Sequence, residues 1–133
     1  MTTMKISVLG AGAWGTALAI QAAEAGHDVS LWARDAAAIE AMRASRRNAA
    51  YLPDSELPVA LGLTADRGAA IAHAAEGLTI VATPMSGLRE TLAALPSTQR
   101  VLWLCKGFEA GTGRLGHEIA RELQPGIDRK SVV

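Results

Sequence analysis

Short apolar runs alternate along the chain with stretches rich in helix formers. Lys5-Ile6-Ser7-Val8-Leu9 reads as a buried strand, and residues 14–25, with Ala17, Leu18, Ala19, Ala22 and Ala23, predict a helix closed by Gly26. Further strands are expected at 29–33, at 59–63 (the weakest), at 78–82 and at 101–105. Helices are expected at about 36–46, 66–76, 86–95 and 114–123, the first of these capped by Asp35. Asn48, Pro53, Asp54 and Pro58 mark residues 47–58 as a loop, and Lys106 to Gly113 form a glycine-containing one.

Strand and helix thus alternate five times, which implies parallel strands joined by crossover helices. The fold class that follows is α/β: a doubly wound, mostly parallel sheet of the Rossmann type with helices on both faces. A chain of 133 residues is expected to form one domain, here over residues 1–127. Residues 128–133, Asp128-Arg129-Lys130-Ser131-Val132-Val133, fit neither helix nor strand in this rhythm. They resemble translated sequencing-adapter DNA and are expected to be a non-native tail on a truncated chain.

Composition narrows the function. Half the residues are hydrophobic, which excludes a disordered tail. Thirteen basic and thirteen acidic residues give zero net charge and argue against a nucleic-acid partner. The single cysteine, Cys105, excludes an intrachain disulfide and a multi-cysteine zinc site, and the three histidines lack metal-ligand spacing. No apolar run reaches the roughly 18 residues of a membrane span. The N-terminus carries no export signal, so a cytoplasmic location is expected.

The chemistry concentrates at GAGAWG, Gly10 to Gly15, between the first strand and the first helix. That is the context a dinucleotide fingerprint requires. Gly10 allows the tight turn, Gly12 lets backbone approach a diphosphate, and Gly15 lets the helix lie close to the sheet. The helix N-terminus offers free amides and a positive dipole end to the anion. The second strand ends at Arg34 and Asp35. A guanidinium there suits a ribose 2′-phosphate and favours NADP over NAD, with Asp35 better placed as a helix cap than as a ribose ligand. Trp14 is expected both to pack helix on sheet and to wall the cofactor phosphates. Pro84 ends the fourth strand and holds its loop near the cofactor, and Lys106 ends the fifth, bringing a cation to the same crevice for an anionic substrate. Cys105 reads as a buried structural thiol inside the fifth strand, and Glu118 and Glu122 as a solvated helix face.

Four segments, GAGAWGTALA from Gly10, HDVSLWARD from His27, NAAYLPD from Asn48, and Val81–Ser86 together with CKGFEAGTGRL from Cys105, resemble the N-terminal half of bacterial NAD(P)-dependent glycerol-3-phosphate dehydrogenases. The resemblance spans roughly residues 4 to 125. It implies reduction of dihydroxyacetone phosphate to sn-glycerol 3-phosphate with NADH or NADPH, for phospholipid synthesis in the cytoplasm. By the same resemblance, Ala13, Trp14, Arg34 and Tyr51 would border the cofactor, and Lys106 would touch both cofactor and substrate. Many members carry Ser where this chain has Ala13, so one hydroxyl contact is lost. The family's general acid/base is a lysine in a second, helical domain outside these residues, which would also carry the homodimer interface. The fragment is therefore expected to bind cofactor without turnover. The competing readings are a reductase of the 6-phosphogluconate or ketopantoate type, and a nonenzymatic dinucleotide-binding module.

Overall fold

The computed structural model describes residues 3–123 and the strand at 130–131. In chain order its elements are β1 (Lys5–Leu9), α1 (Ala13–Glu24), β2 (Asp28–Trp32), α2 (Ala36–Ser45), β3 (Arg47–Asn48) and β4 (Leu52–Glu56). There follow β5 (Gly62–Thr64), α3 (Arg67–His73), β6 (Leu78–Val81), α4 (Met85–Ala94), β7 (Arg100–Trp103), α5 (Gly116–Leu123) and β8 (Lys130–Ser131).

Six strands form one sheet in the order β5-β2-β1-β6-β7-β8, and every neighbouring pair is parallel. The chain starts at β1, winds outward through β2 to β5, and returns to place β6 on the other side of β1. This is the expected doubly wound, Rossmann-type sheet, with its order reversing between β1 and β6.

Both faces of the sheet are covered, and the pleat sorts side chains between them. Ile6, Val8, Val29, Leu31 and Ile80 pack with Ala19 and Ile20 of α1 and with Ile39 and Met42 of α2. Leu9, Trp32, Val81, Val101 and Trp103 pack on the opposite face with Ala70, Leu88, Leu92 and Ile119 of α3, α4 and α5. Fully buried Ala19 and Ala70 let the helices approach closely. Ser7 is buried among apolar neighbours at no polar cost, because its Oγ donates to the Ala70 carbonyl at 2.6 Å. No helix among the described residues is long and apolar enough to cross a membrane.

Three expectations need correction. The third sheet strand is Gly62–Thr64 and not 59–63: Val59 is 94% exposed, while Leu57 and Leu61 fill the core from irregular backbone. The expected loop at 47–58 contains a two-stranded antiparallel ribbon, β3 with β4, with Arg47 opposite Glu56. Pro53 is tolerated there because the ribbon has free edges. Finally, Lys130 and Ser131 pair with Leu102 and Trp103, so the terminal stretch contributes a sixth strand. The other tail residues, 128–129 and 132–133, lie outside the described residues.

Candidate functional site

The strand register builds the site. Leu9 pairs with both Trp32 and Val81, and Val81 pairs with Trp103, so four strands end at one level. The backbone ladder runs one step further: Gly10 N–H donates to Trp32 O, Ala82 N–H to Leu9 O and Leu104 N–H to Val81 O, at 2.8–2.9 Å. Beyond that level the chain leaves the sheet in four places, and a cleft of about 1480 Å³ opens over the β1–β6 reversal. Gly10, Gly12, Ala13, Trp14, Gly15, Arg34, Tyr51, Pro84 and Lys106 all line it.

The three glycines differ in what surrounds them. Gly10 has φ +121°, and a Cβ there would lie 2.7 Å from the Ala82 carbonyl group. A Cβ on Gly15 would lie 2.1 Å from the Gly10 carbonyl oxygen, so α1 rests directly on the turn that precedes it. At Gly12 a Cβ would meet nothing within 4 Å. Gly12 is also the N-cap of α1 and has no side chain to bond its amides; the first amide used inside the helix is that of Thr16, donating to Gly12 O at 3.0 Å. The amides before it have no acceptor within the helix and, with the dipole, favour an anion. Open space above bare backbone at this helix end fits a diphosphate.

Asp35 is committed to local structure, its Oδ1 accepting from Ala37 N at 2.9 Å and from Ala38 N at 3.3 Å. Arg34, beside it, stays exposed at the cleft rim, with Nη2 3.7 Å from Glu90 Oε2. Glu90 also meets Arg67 at 3.3 Å. Neither Arg67 nor Glu90 stood out in the sequence; the available signal for Arg67 was its position just after the third strand.

Asn48 is the other residue that sequence reasoning undervalued. It is buried, and its Nδ2 donates to the Ala11 carbonyl and to Thr16 Oγ1, both at 2.8 Å. It thereby ties the β3–β4 ribbon to the glycine turn and brings Tyr51, 61% exposed, to the cleft. Trp14 does not pack helix on sheet: it is 80% exposed at the rim. An indole at the first turn of α1 lies clear of the sheet that Gly15 faces.

Cys105 stands just past β7 and not inside it, half-buried in the cleft wall. Its Sγ donates to the Thr83 carbonyl at 2.9 Å, and burial pushes its pKa up. A protonated thiol without a base is no nucleophile. Lys106 follows it, exposed, before Gly107 at φ +92°. The loop beyond is clamped by ions. Arg89 of α4 donates through Nε and Nη2 to both oxygens of Glu109 at 2.8 and 2.9 Å, and to Glu122 at 3.0 Å. Arg114 adds a contact to Glu122 at 3.2 Å. Glu122 is therefore an ion-pair partner and not merely a solvated face residue, while Glu118 accepts from Leu115 N at 2.9 Å near the start of α5. Bonding to Arg89 lowers the Glu109 pKa to about 2, also lowers that of Glu122, and raises that of Arg89.

Comparison with known proteins agrees with this geometry. The family described as NAD-dependent glycerol-3-phosphate dehydrogenase N-terminus matches residues 5–133. A protein named glycerol-3-phosphate dehydrogenase (NAD(P)+) from Methylibium petroleiphilum is 62% identical over 125 residues, covering 92% of this chain and 37% of that protein. One of the same name from Leptothrix cholodnii is 55% identical over 133 residues, covering 92% of this chain and 39% of that protein. The crystal structure of glycerol-3-phosphate dehydrogenase from Coxiella burnetii superposes with TM-score 0.80 at 30% identity, over 90% of this chain and 37% of that one. The chain thus spans a little over a third of the length of the curated relatives it matches.

Proposed function

The chain belongs to the NAD-dependent glycerol-3-phosphate dehydrogenase N-terminal family, and from that premise we propose that it binds NADH or NADPH for reduction of dihydroxyacetone phosphate to sn-glycerol 3-phosphate. The observation that carries the reading is Gly12: open space over unpaired helix amides, between two glycines that the fold itself requires.

The chain's own residues divide the work. The first amides of α1 hold the diphosphate, and Trp14 and Tyr51 flank it from the rim. Arg34 reads the adenosine end and favours NADP, because Asp35, the competing ribose ligand, is spent on capping α2. When bound, the nicotinamide supplies the hydride. Pro84 sets the start of α4 where the loop after β6 lines the cleft. Lys106 brings a positive charge to the phosphorylated substrate and to the oxygen that gains charge during reduction, an electrostatic role and not a proton-donating one. Cys105 stays a protonated wall residue. In the same reading the protein serves glycerophospholipid synthesis in the cytoplasm and acts on a small phosphorylated ligand, not nucleic acid. Homodimerisation enters through the family resemblance alone.

Calorimetric titration of the chain with NADPH and NADH tests the reading. Both are expected to bind. Arg34→Ala should weaken NADPH by ~1–3 kcal/mol, the scale of a hydrogen bond to a charged group, and leave NADH nearly unchanged. Equal losses would remove Arg34 from 2′-phosphate recognition, and no heat with either nucleotide would refute the binding reading.

A further inference from the structure

Three charged side chains from three elements meet at the adenosine end of the cleft. Arg34 follows β2, Arg67 opens α3 and Glu90 lies on α4, and all three line the cleft. One Glu90 oxygen accepts from Arg67 Nη1 at 3.3 Å, and the other lies 3.7 Å from Arg34 Nη2. The second distance exceeds hydrogen-bond length, and the side chains of Arg34 and Glu90 are 80% and 63% exposed. Exposed pairs of this kind are weak, so Arg34 leaves Glu90 readily. Arg67, with its side chain 33% exposed, is held more firmly.

Two guanidiniums around one carboxylate form the arrangement that also takes a phosphate monoester, since both anions offer several charged oxygens to arginine donors. Among the described residues, the only other acid lining the cleft, Asp35, is engaged by the α2 amides. Glu90 is therefore the anion available to compete for these two cations.

We propose that Glu90 determines cofactor specificity by occupying, between Arg34 and Arg67, the anion position that a ribose 2′-phosphate takes, and that Arg67 is the second guanidinium for that phosphate. A 2′-phosphorylated cofactor has to displace Glu90. A cofactor with a free ribose 2′-hydroxyl leaves Glu90 in place, neutralising two cations that would otherwise face an uncharged sugar. The carboxylate thereby narrows the gap between the two cofactors, which gives dual use rather than strict selection. The inference deepens the dinucleotide reading and rests on it.

Adenosine 2′,5′-bisphosphate and 5′-AMP probe this end of the cleft without the nicotinamide half. Both are titrated calorimetrically against the unaltered chain, Glu90→Gln, Glu90→Ser and Arg67→Gln, with a thermal melt of each variant to show that it folds. The Glu90 variants should bind the bisphosphate about three- to tenfold tighter and 5′-AMP within about twofold of the unaltered chain. Arg67→Gln should weaken the bisphosphate about fivefold or more and spare 5′-AMP. Equal changes for both probes, or none in the folded variants, would overturn the assignment and leave Glu90 as a tie between α3 and α4. If the unaltered chain binds neither probe nor NADPH, the dinucleotide reading itself fails; if NADPH binds while selectivity stays fixed in every variant, the Glu90 assignment alone does.

Discussion

A Cβ at Gly12 would meet no protein atom, whereas one at Gly15 would collide with the Gly10 carbonyl oxygen. The two positions therefore separate binding from folding. Gly12 has φ −74°, ψ −172°, an extended conformation that valine adopts without strain. Gly12→Val should keep the melting temperature within a few degrees and abolish NADPH binding, because its methyl groups fill the diphosphate space. Gly15→Ala should cost ~1–3 kcal/mol or more in denaturant unfolding, since α1 has to lift from the turn. The reverse pattern would contradict the roles assigned here. The turn at Gly10 and the close helix packing at Gly15 were legible because each leaves a spacing signature. The place of Arg34 and the capping by Asp35 were legible for a similar reason, as both residues follow a recognisable strand. Asn48 was not: its acceptors are 37 and 32 positions away in the chain. The exposure of Trp14 was equally hidden, because sequence does not say which way the first turn of a helix faces.

The segment between β7 and α5 shows how neighbouring elements position a cleft residue. Lys106 leads into a loop whose Glu109 is gripped by Arg89 from α4, while Glu122 of α5 holds Arg89 and Arg114. Glu109 has a folded-state pKa of about 2 against an ordinary 4.5, so it stays charged in the folded chain where the unfolded chain takes up a proton. Its contribution is present above pH 4.5, drains as pH falls toward about 2, and is lost below that. Urea unfolding at a series of pH values should show a decline across this window that is shallower in Arg89→Ala. An identical acid profile in the variant would show that the clamp does not hold the loop. The alternation of strands and helices was readable from composition along the chain, and, the third strand apart, the α/β boundaries fall close to their expected places. The β3–β4 ribbon was not, since Pro53, Asp54 and Pro58 carry turn chemistry, while burial of Asn48 and Leu57 and bonds such as Leu57 N–H to Arg46 O order that segment. The third strand was misplaced for the same reason: Leu61 looks like a strand residue but is buried from a turn, with its amide donating to Pro58 O.

The sheet gathers these parts into one device. Because its order reverses between β1 and β6, the loops after both strands diverge and leave a crevice, which the turns after β2 and β7 close at its two ends. Arg34, Arg67 and Glu90 stand at one end and Lys106 at the other, with the glycine turn between them. In the proposed reading this order matches, from adenosine phosphate to diphosphate to substrate anion, an extended dinucleotide presented to a small phosphorylated partner. A crystal structure of the chain with NADPH tests it most directly. The account predicts the diphosphate on the Gly12 backbone at the start of α1, with the 2′-phosphate between Arg34 and Arg67. Nucleotide density away from Gly10–Gly15, or density there with the adenosine end turned toward Lys106, would contradict it.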